Sequence, residues 1–199
     1  MIYNICYVKE IVMPPKVKVS KEDIINTTVE LVRKYGEGAI NARNIASALN
    51  CSTQPIFSNF STMDDLRIAV ILRAEAFCNE YIKREIDSGV YVPYKASGMA
   101  YIRFAKEEKE LFKLLYMRDR SKEDMFAENE LSNIMFQMVK DNTGLDGDKN
   151  RLFHLEIWAY VHGIATMFAT NYFPLDWELV SQMITDVYQG LKKKYDTEG

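Results

Sequence analysis

The chain has 199 residues, of which 48% are hydrophobic, and it contains only nine glycines and five prolines. So few turn-forming residues exclude a multi-strand sandwich and a disordered tail, and they favour long helices. No apolar run reaches the roughly 18 residues that a membrane-spanning helix needs, so no membrane partner is expected. The formal net charge of -3 excludes a polycation held to nucleic acid by bulk charge, and any DNA-binding surface must be local.

The number and spacing of the cysteines indicate the cellular compartment of the protein. Cys6, Cys51 and Cys78 are an odd number without a Cys-x-x-Cys pair. This pattern argues against a disulfide framework and against a structural zinc site. We therefore expect a cytoplasmic protein.

The N-terminal segment, residues 1–12, lacks the basic start and the small-residue cleavage site of a signal peptide. Met13 looks like a more natural start, so the segment is interpreted as an upstream translation extension or a mobile arm. An ordered segment that packs Ile5 and Val8 on the body is the alternative.

Helix signals begin at Ser20, a capping serine that is followed by the acidic Glu22 and Asp23. Apolar residues then recur at helical spacing and predict a first helix over 21–35. Gly36 ends it, because glycine accepts the left-handed conformation of a helix C-terminus.

Two short helices are predicted next, over 42–49 and 53–59. Asn41 is expected to cap the first, and Ser52 the second. Pro55 falls in the first turn of the second helix, where its missing N–H costs nothing. Ile56 and Phe60 are expected on the buried side of that helix.

A long helix is predicted over 63–86, with Thr62 and Asp65 as its acidic cap. The remaining segments predict helices over 94–106, 108–116, 122–142, 148–172 and 176–195. No segment shows a sustained two-residue alternation. The predicted fold is all-α with about nine helices, a three-helix N-terminal head and a larger C-terminal helical body.

The two short helices and their tight turn have the form of a helix-turn-helix, in which the second helix enters the major groove. Spacing alone leaves an ordinary helical hairpin open. The residue types add evidence that spacing does not give. The relevant segments are Ile24 to Leu31, Tyr35-Gly36, Asn41 to Ala46, Ser52 to Phe60 and Asp64-Asp65-Leu66. Together they resemble the DNA-binding head of the TetR (tetracycline-repressor-like) family of bacterial transcription regulators.

Two segments further on resemble the ligand-binding body of that family. They are Glu110 to Tyr116 and Trp158 to Gly163, and the second is similar to the Trp-x-x-x-His-Gly subgroup. The resemblance implies a ligand-responsive repressor that binds a palindromic operator as a homodimer. The expected domains are an N-terminal extension or arm (1–19), a helix-turn-helix domain (20–66), and a ligand-binding and dimerisation domain (67–199).

The resemblance also implies which residues meet DNA. Base edges are expected to contact Thr53, Gln54, Pro55 and Ser58, and Gln54 can address adenine N6 and N7. Phosphates are expected to contact Arg43, Asn59, the arm residues Lys16, Lys18 and Lys21, and the helix N-termini at Asn41 and Thr62. Each of these side chains could instead be an ordinary solvated polar residue.

The head departs from the family pattern in two positions. The usual recognition-helix tyrosine is Phe57, which stays in the predicted DNA-contacting set without a hydroxyl, and the usual lysine of the next helix is Met63. Positive and negative residues of the head also balance. We therefore expect modest DNA affinity with a shallow salt dependence.

Large, adaptable side chains crowd the body, and most of them must be core. Six are predicted to line a cavity for an apolar or aromatic effector: Tyr101, Phe104, Tyr116, Phe136, Trp158 and His162. For His162, a core position is the alternative.

The helix predicted over 148–172 is apolar nearly all round and must be covered on more than one side. Together with the last helix it can form a four-helix interface with a second subunit. The predicted interface residues are Ile164, Phe168, Val180, Met183, Ile184, Val187 and Tyr188. Burial of these residues within a monomer is the alternative.

The two histidines, His154 and His162, are not accompanied by a metal-binding or catalytic motif. We expect no cofactor, no metal and no enzyme activity. Because of Phe57, Met63 and the neutral head, the alternative function is a dimeric helical module that binds a small molecule or a protein without binding an operator. A helical metal-carboxylate oxidase is a third alternative.

Overall fold

The computed structural model describes residues 19–121 and 130–197, and these ranges contain α-helices and no strand. The described helices are α1 (Lys21–Tyr35), α2 (Ala42–Ala48), α3 (Gln54–Asn59), α4 (Met63–Asp87), α5 (Pro93–Glu107), α6 (Lys109–Tyr116), α7 (Glu130–Thr143), α8 (Gly147–Ala169) and α9 (Trp177–Thr197). The all-α prediction is confirmed. The predictions for residues 1–12, for Lys16 and Lys18, and for the beginning of the 122–142 helix lie outside the described residues.

The first helix, α1, has the predicted bounds. The Ser20 hydroxyl accepts a hydrogen bond from the Asp23 N–H at 3.0 Å, and the Asp23 carboxylate accepts one from the Ser20 N–H at 2.9 Å. At the other end, Gly36 has φ +76° and donates its N–H to the Val32 carbonyl oxygen at 2.8 Å. A Cβ at Gly36 would lie 2.9 Å from Glu110 Oε2, so α6 approaches the head closely at this turn.

Of the two helix caps predicted for α2 and α3, one is present and the other is not. Asn41 caps α2 as predicted, because its side chain accepts from the Asn44 N–H at 2.9 Å. Ser52 does not cap α3. The N-cap is Thr53, which already has helical backbone angles, and no side chain accepts a hydrogen bond there.

The long helix α4 joins head and body. It begins with the predicted capping box, in which the Thr62 hydroxyl accepts from the Asp65 N–H at 3.1 Å and the Asp65 carboxylate from the Thr62 N–H at 2.9 Å. Its buried residues recur at every fourth position: Leu66, Val70, Ala74, Cys78 and Ile82. This stripe belongs to one hydrophobic core that continues from the head into the body.

The body is built around α5 and α8, and its last two helices differ slightly from the predicted bounds. Helix α8 ends at Ala169, three residues before the prediction, because Asn171 has φ +54°. Helix α9 begins at Trp177, and the Asp176 carboxylate accepts from the Glu178 N–H at 2.8 Å. None of the helices in the described ranges is long and apolar enough to cross a bilayer.

Candidate DNA-binding face and effector cavity

Helix α3 has one buried face and one exposed face. Ile56 is fully buried and Phe60 is 4% exposed, as predicted from their spacing. Gln54 and Ser58 are exposed, and the Phe57 ring is 53% exposed. The other predicted contact residues of this segment, Thr53, Pro55 and Asn59, are half-buried. Polar side chains and one aromatic ring therefore form the outer face of α3.

Two of the predicted DNA-contacting side chains already donate hydrogen bonds within α3. The Ser58 hydroxyl donates to the Gln54 carbonyl oxygen at 2.9 Å, and the Asn59 amide donates to the Pro55 carbonyl oxygen at 2.8 Å. Gln54 and Arg43 are exposed and form no side-chain hydrogen bond or ion pair within the described ranges. These two side chains are therefore the ones most available to a ligand.

Several other cations of the head and its neighbourhood are paired with carboxylates. Arg67 pairs with Glu37, and Arg73 pairs with Glu22. Arg33 pairs with Glu30 at 2.5 Å and, across to the body, with Glu108 at 2.9 Å. Little of their positive charge is left for phosphates, which agrees with the neutral composition of the head.

A cavity of about 470 Å³ lies inside the body, within the usual size range of sites for small molecules. Three of the six predicted residues line it: Tyr101, Tyr116 and Trp158. Its wall also includes residues of α4, α7 and α9, among them Ile82, Met135 and Ile184. Helices α4 to α9 therefore surround one largely apolar space.

The other three predicted residues, Phe104, Phe136 and His162, are not among those that line the cavity. Phe104 is fully buried and packs edge-on against Tyr81, with ring centroids 5.4 Å apart, so it is a core residue. Phe136 packs edge-on against His154 at 5.4 Å. The prediction failed for these residues because helical spacing cannot separate side chains that face a cavity from those that support its wall.

His162 supports the wall from behind. Its ring stacks on Trp158 with centroids 4.9 Å apart and an interplanar angle of 16°, and a hydrogen bond of 3.0 Å joins its Nδ1 to the Tyr101 hydroxyl. Burial lowers the pKa of His162, and the charge of Arg120 lowers it further. His162 is thus a neutral positioning residue that orients two cavity side chains, Tyr101 and Trp158.

A second tyrosine–histidine pair was missed by the sequence analysis. The Tyr94 hydroxyl lies 2.9 Å from His154 Nδ1, and both residues line the cavity. Burial lowers the pKa of His154 and raises that of Tyr94. A signal was available, since the two tyrosines are seven residues apart on α5 and the two histidines eight apart on α8, which places each pair on one helix face.

Helix α9 turns a stripe of residues toward the cavity: Ile184, Thr185, Tyr188, Gln189 and Lys192. Lys95 of α5 faces it and donates to the Thr185 hydroxyl at 2.8 Å. Ile184 and Tyr188, which were predicted to contact a second subunit, are therefore cavity residues.

Four of the seven residues predicted for the dimer interface are buried within the single chain. Ile164, Phe168, Val180 and Ile184 are 3%, 8%, 0% and 4% exposed in the single chain, so they are core residues that a partner cannot reach. Met183 and Val187 are half-buried. The alternative, burial within the monomer, describes those four residues, because α8 and α9 cover the cavity with their apolar stripes.

The part of the chain that the structure describes contains no cluster of three or more His, Cys, Asp or Glu side chains that could hold a metal ion. Cys78 is buried, and burial raises its thiol pKa to about 11. That thiol accepts a hydrogen bond from Tyr116 at 3.5 Å. Cys78 is therefore part of the packed core.

A helical head joined to a cavity-bearing helical body is the arrangement that the resemblance to TetR-like regulators predicts. Residues 94–187 match the family model described as tetracyclin repressor-like, C-terminal domain. This part of the chain, just under half of its length, is similar to that domain. The match supports, in general terms, a TetR-like, ligand-responsive transcription regulator, and regulators of this family are generally not enzymes.

A solved structure supports the fold. The chain is similar to a member of the TetR family from Streptomyces coelicolor A3, with 15% sequence identity and a TM-score of 0.55. The match covers 83% of this chain and 96% of the other. No curated protein matches the chain.

Proposed function

We propose that the protein is a ligand-responsive repressor that binds a palindromic operator as a homodimer. The observation that carries the proposal is the division of α3 into a buried aliphatic face and an exposed polar face, on a head joined by α4 to a cavity. The proposed domains are an arm (1–19), a DNA-binding head (20–66), and a ligand-binding and dimerisation domain (67–199).

Within this proposal, α3 lies in the major groove with its N-terminal residues toward the bases. Gln54 makes a bidentate contact to adenine, and Arg43 contacts a phosphate. Both side chains are exposed and unbonded, so DNA binding breaks no existing contact of theirs. Ser58 and Asn59 keep their helical hydrogen bonds and can still accept further ones.

The experiment is a fluorescence-anisotropy titration of DNA from upstream of the protein's own gene. We expect the Arg43→Ala/Gln54→Ala double variant to lose about two orders of magnitude in affinity, because a bidentate base contact and a charged phosphate contact disappear. Arg84→Ala/Gln137→Ala is the matched control, since both residues are exposed outside the head. Equal affinity of the two double variants would contradict the proposed DNA-binding face.

The dimer is proposed to use the outer face of α8 and α9. Leu152 and Leu179 are each 48% exposed there. Ala159, Gly163 and Gly190 are exposed as well, and a Cβ at either glycine would meet no atom within 4 Å. Small residues allow a second pair of helices to approach closely, and the flanking leucines then become buried.

Ala159→Glu tests this face. A carboxylate buried in a symmetric interface meets its own copy, so we expect the variant to sediment as a monomer at micromolar concentration. Ala76→Glu, at another exposed alanine on a long helix, should remain dimeric. A monomeric wild-type protein would remove the operator model.

An alternative function is a dimeric binding module that does not recognise an operator. It is favoured by the position of Phe57, whose exposed ring replaces a hydroxyl-bearing one, and by the ion pairs that neutralise Arg67 and Arg73. The anisotropy titration separates the two, because this alternative predicts no discrete complex.

A further inference from the structure

The deep wall of the cavity has polar atoms that are already paired with one another. The Tyr94 and Tyr101 hydroxyls are bonded to histidine Nδ1 atoms at 2.9 and 3.0 Å, and the Tyr116 hydroxyl donates to Cys78 Sγ at 3.5 Å. A ligand acceptor such as a carboxylate placed there would compete with these bonds for the hydroxyl hydrogens, and breaking them is unfavourable. The deep part therefore accepts an apolar body.

The charge of the cavity lies near solvent and has one sign. Lys95 and Lys192 line it, and none of the lining residues in the described ranges is acidic. The exposed Val92 and Gln189 also line this end, each three residues before one of the two lysines. An anionic group is thus favoured at this end and a cationic group is repelled.

Neither lysine has a counter-charge within the described ranges. Lys95 Nζ donates to the Thr185 hydroxyl at 2.8 Å, and Lys192 Nζ donates to the Asn142 carbonyl oxygen at 3.0 Å. Burial lowers the pKa of Lys95, as expected for a partly desolvated ammonium without an acidic partner. The first turn of α5, which carries Lys95, contains no acidic residue and no side-chain cap, so the helix dipole adds to the positive potential.

We propose that the cavity binds a small amphipathic carboxylate, with its apolar body among Tyr101, Tyr116 and Trp158 and its carboxylate paired with Lys95. The inference rests on the proposed ligand-responsive function and names the chemical class of the effector. Lys192 contributes positive potential while it keeps its bond to Asn142. A neutral ligand gains only the apolar contacts, whereas the carboxylate also gains a charge-assisted hydrogen bond in a partly desolvated site.

Three probes with the same body test the proposal: phenylbutanoate, phenylbutanol and phenylbutylamine. Binding is measured by calorimetry and by quenching of Trp158, with Trp177→Phe as the background so that one indole reports. We expect the carboxylate to bind at least about tenfold more tightly than the alcohol, and the amine to bind most weakly. Equal affinity for the carboxylate and the alcohol, or no binding of the carboxylate at millimolar concentration, would overturn the proposal.

The variants locate the charge. Lys95→Met keeps most of the aliphatic stem and should reduce the preference for the carboxylate to about that of a neutral site, and Lys95→Glu should reverse it toward the amine. Lys193→Met removes an exposed lysine adjacent to Lys192 and should leave the preference unchanged. Loss of preference in Lys193→Met as large as in Lys95→Met would mean that only net charge matters and would overturn the assignment.

The two proposals fail separately. Carboxylate preference without binding to the upstream DNA supports this inference and contradicts the operator function. DNA binding without carboxylate preference supports the operator function and contradicts this inference.

Discussion

The head and the body of this molecule place their polar groups in opposite ways. In the head, the core is apolar, and polar side chains lie outside, with Gln54 of α3 and Arg43 of α2 unbonded. In the body, tyrosines and histidines lie inside and are bonded to each other in pairs across α5 and α8. The head presents chemistry on a convex surface, and the body encloses it.

This difference indicates what each region can discriminate. An exposed polar face costs little to maintain, because water satisfies it until a partner arrives. Buried polar groups must be bonded in the free protein, so they shape the cavity. The selection of a ligand is left to Lys95 and Lys192, which have no acidic partner within the described ranges. Four experiments test the contrast, from the largest expected effect to the smallest.

Ile56 and Phe57 are neighbours on α3 with opposite environments. Ile56→Ala should lower the free energy of unfolding by about 2–5 kcal/mol, because it leaves a cavity in a fully buried site. Phe57→Ala, at a 53% exposed ring, should change it by less than about 0.5 kcal/mol. Urea unfolding followed by circular dichroism measures both, and similar losses would show that α3 does not have the two faces described.

Tyr101→Phe tests the bonded interior. The substitution keeps the ring but leaves His162 Nδ1 without its 3.0 Å partner, and we expect a loss of about 1–3 kcal/mol. Tyr172→Phe is the control, since Tyr172 is 79% exposed. A loss no greater than that of the control would mean that water replaces the hydroxyl and that the pair is not needed to order the wall.

Thr62→Ala tests the capping box at the beginning of α4. Two hydrogen bonds join Thr62 and Asp65, and removing the hydroxyl should cost about 1 kcal/mol. Ser61→Ala changes an exposed neighbour that forms no side-chain hydrogen bond within the described ranges. Identical thermal melting of the two variants would contradict a stabilising cap.

The buried histidines give the interior a pH dependence. Burial lowers the pKa values of His154 and His162, so below the unfolded value of about 6.5 the unfolded chain takes up protons that the folded one refuses. Stability due to these groups is present above that pH and falls as the pH drops through it. The urea concentration at the unfolding midpoint should therefore decrease as the pH is lowered from about 7.5 to 5.5. In the His154→Gln/His162→Gln double variant this decrease should be smaller. An equal decrease of the midpoint in that variant would mean that groups other than these two histidines cause the pH dependence.

Local signals predicted the head well, since Ser20, Asn41 and Thr62 act through neighbours three residues away and Gly36 acts through its own backbone. Ser52 failed because Thr53 already has helical backbone angles, which a sequence does not reveal. In the body, spacing found the apolar stripes of α8 and α9 but not what they cover. Ile184 and Tyr188 line the cavity, which spacing could not predict because it depends on the position of α5, a long-range property.

Helix α6 connects the cavity directly to the head. This helix has eight residues, about 12 Å in length. Tyr116 at its end lines the cavity, and Glu108 at its beginning pairs with Arg33 of α1. Ligand occupancy and head orientation are thus separated by two turns of helix and one ion pair, and Glu108 offers a position at which communication can be cut while both binding surfaces stay untouched.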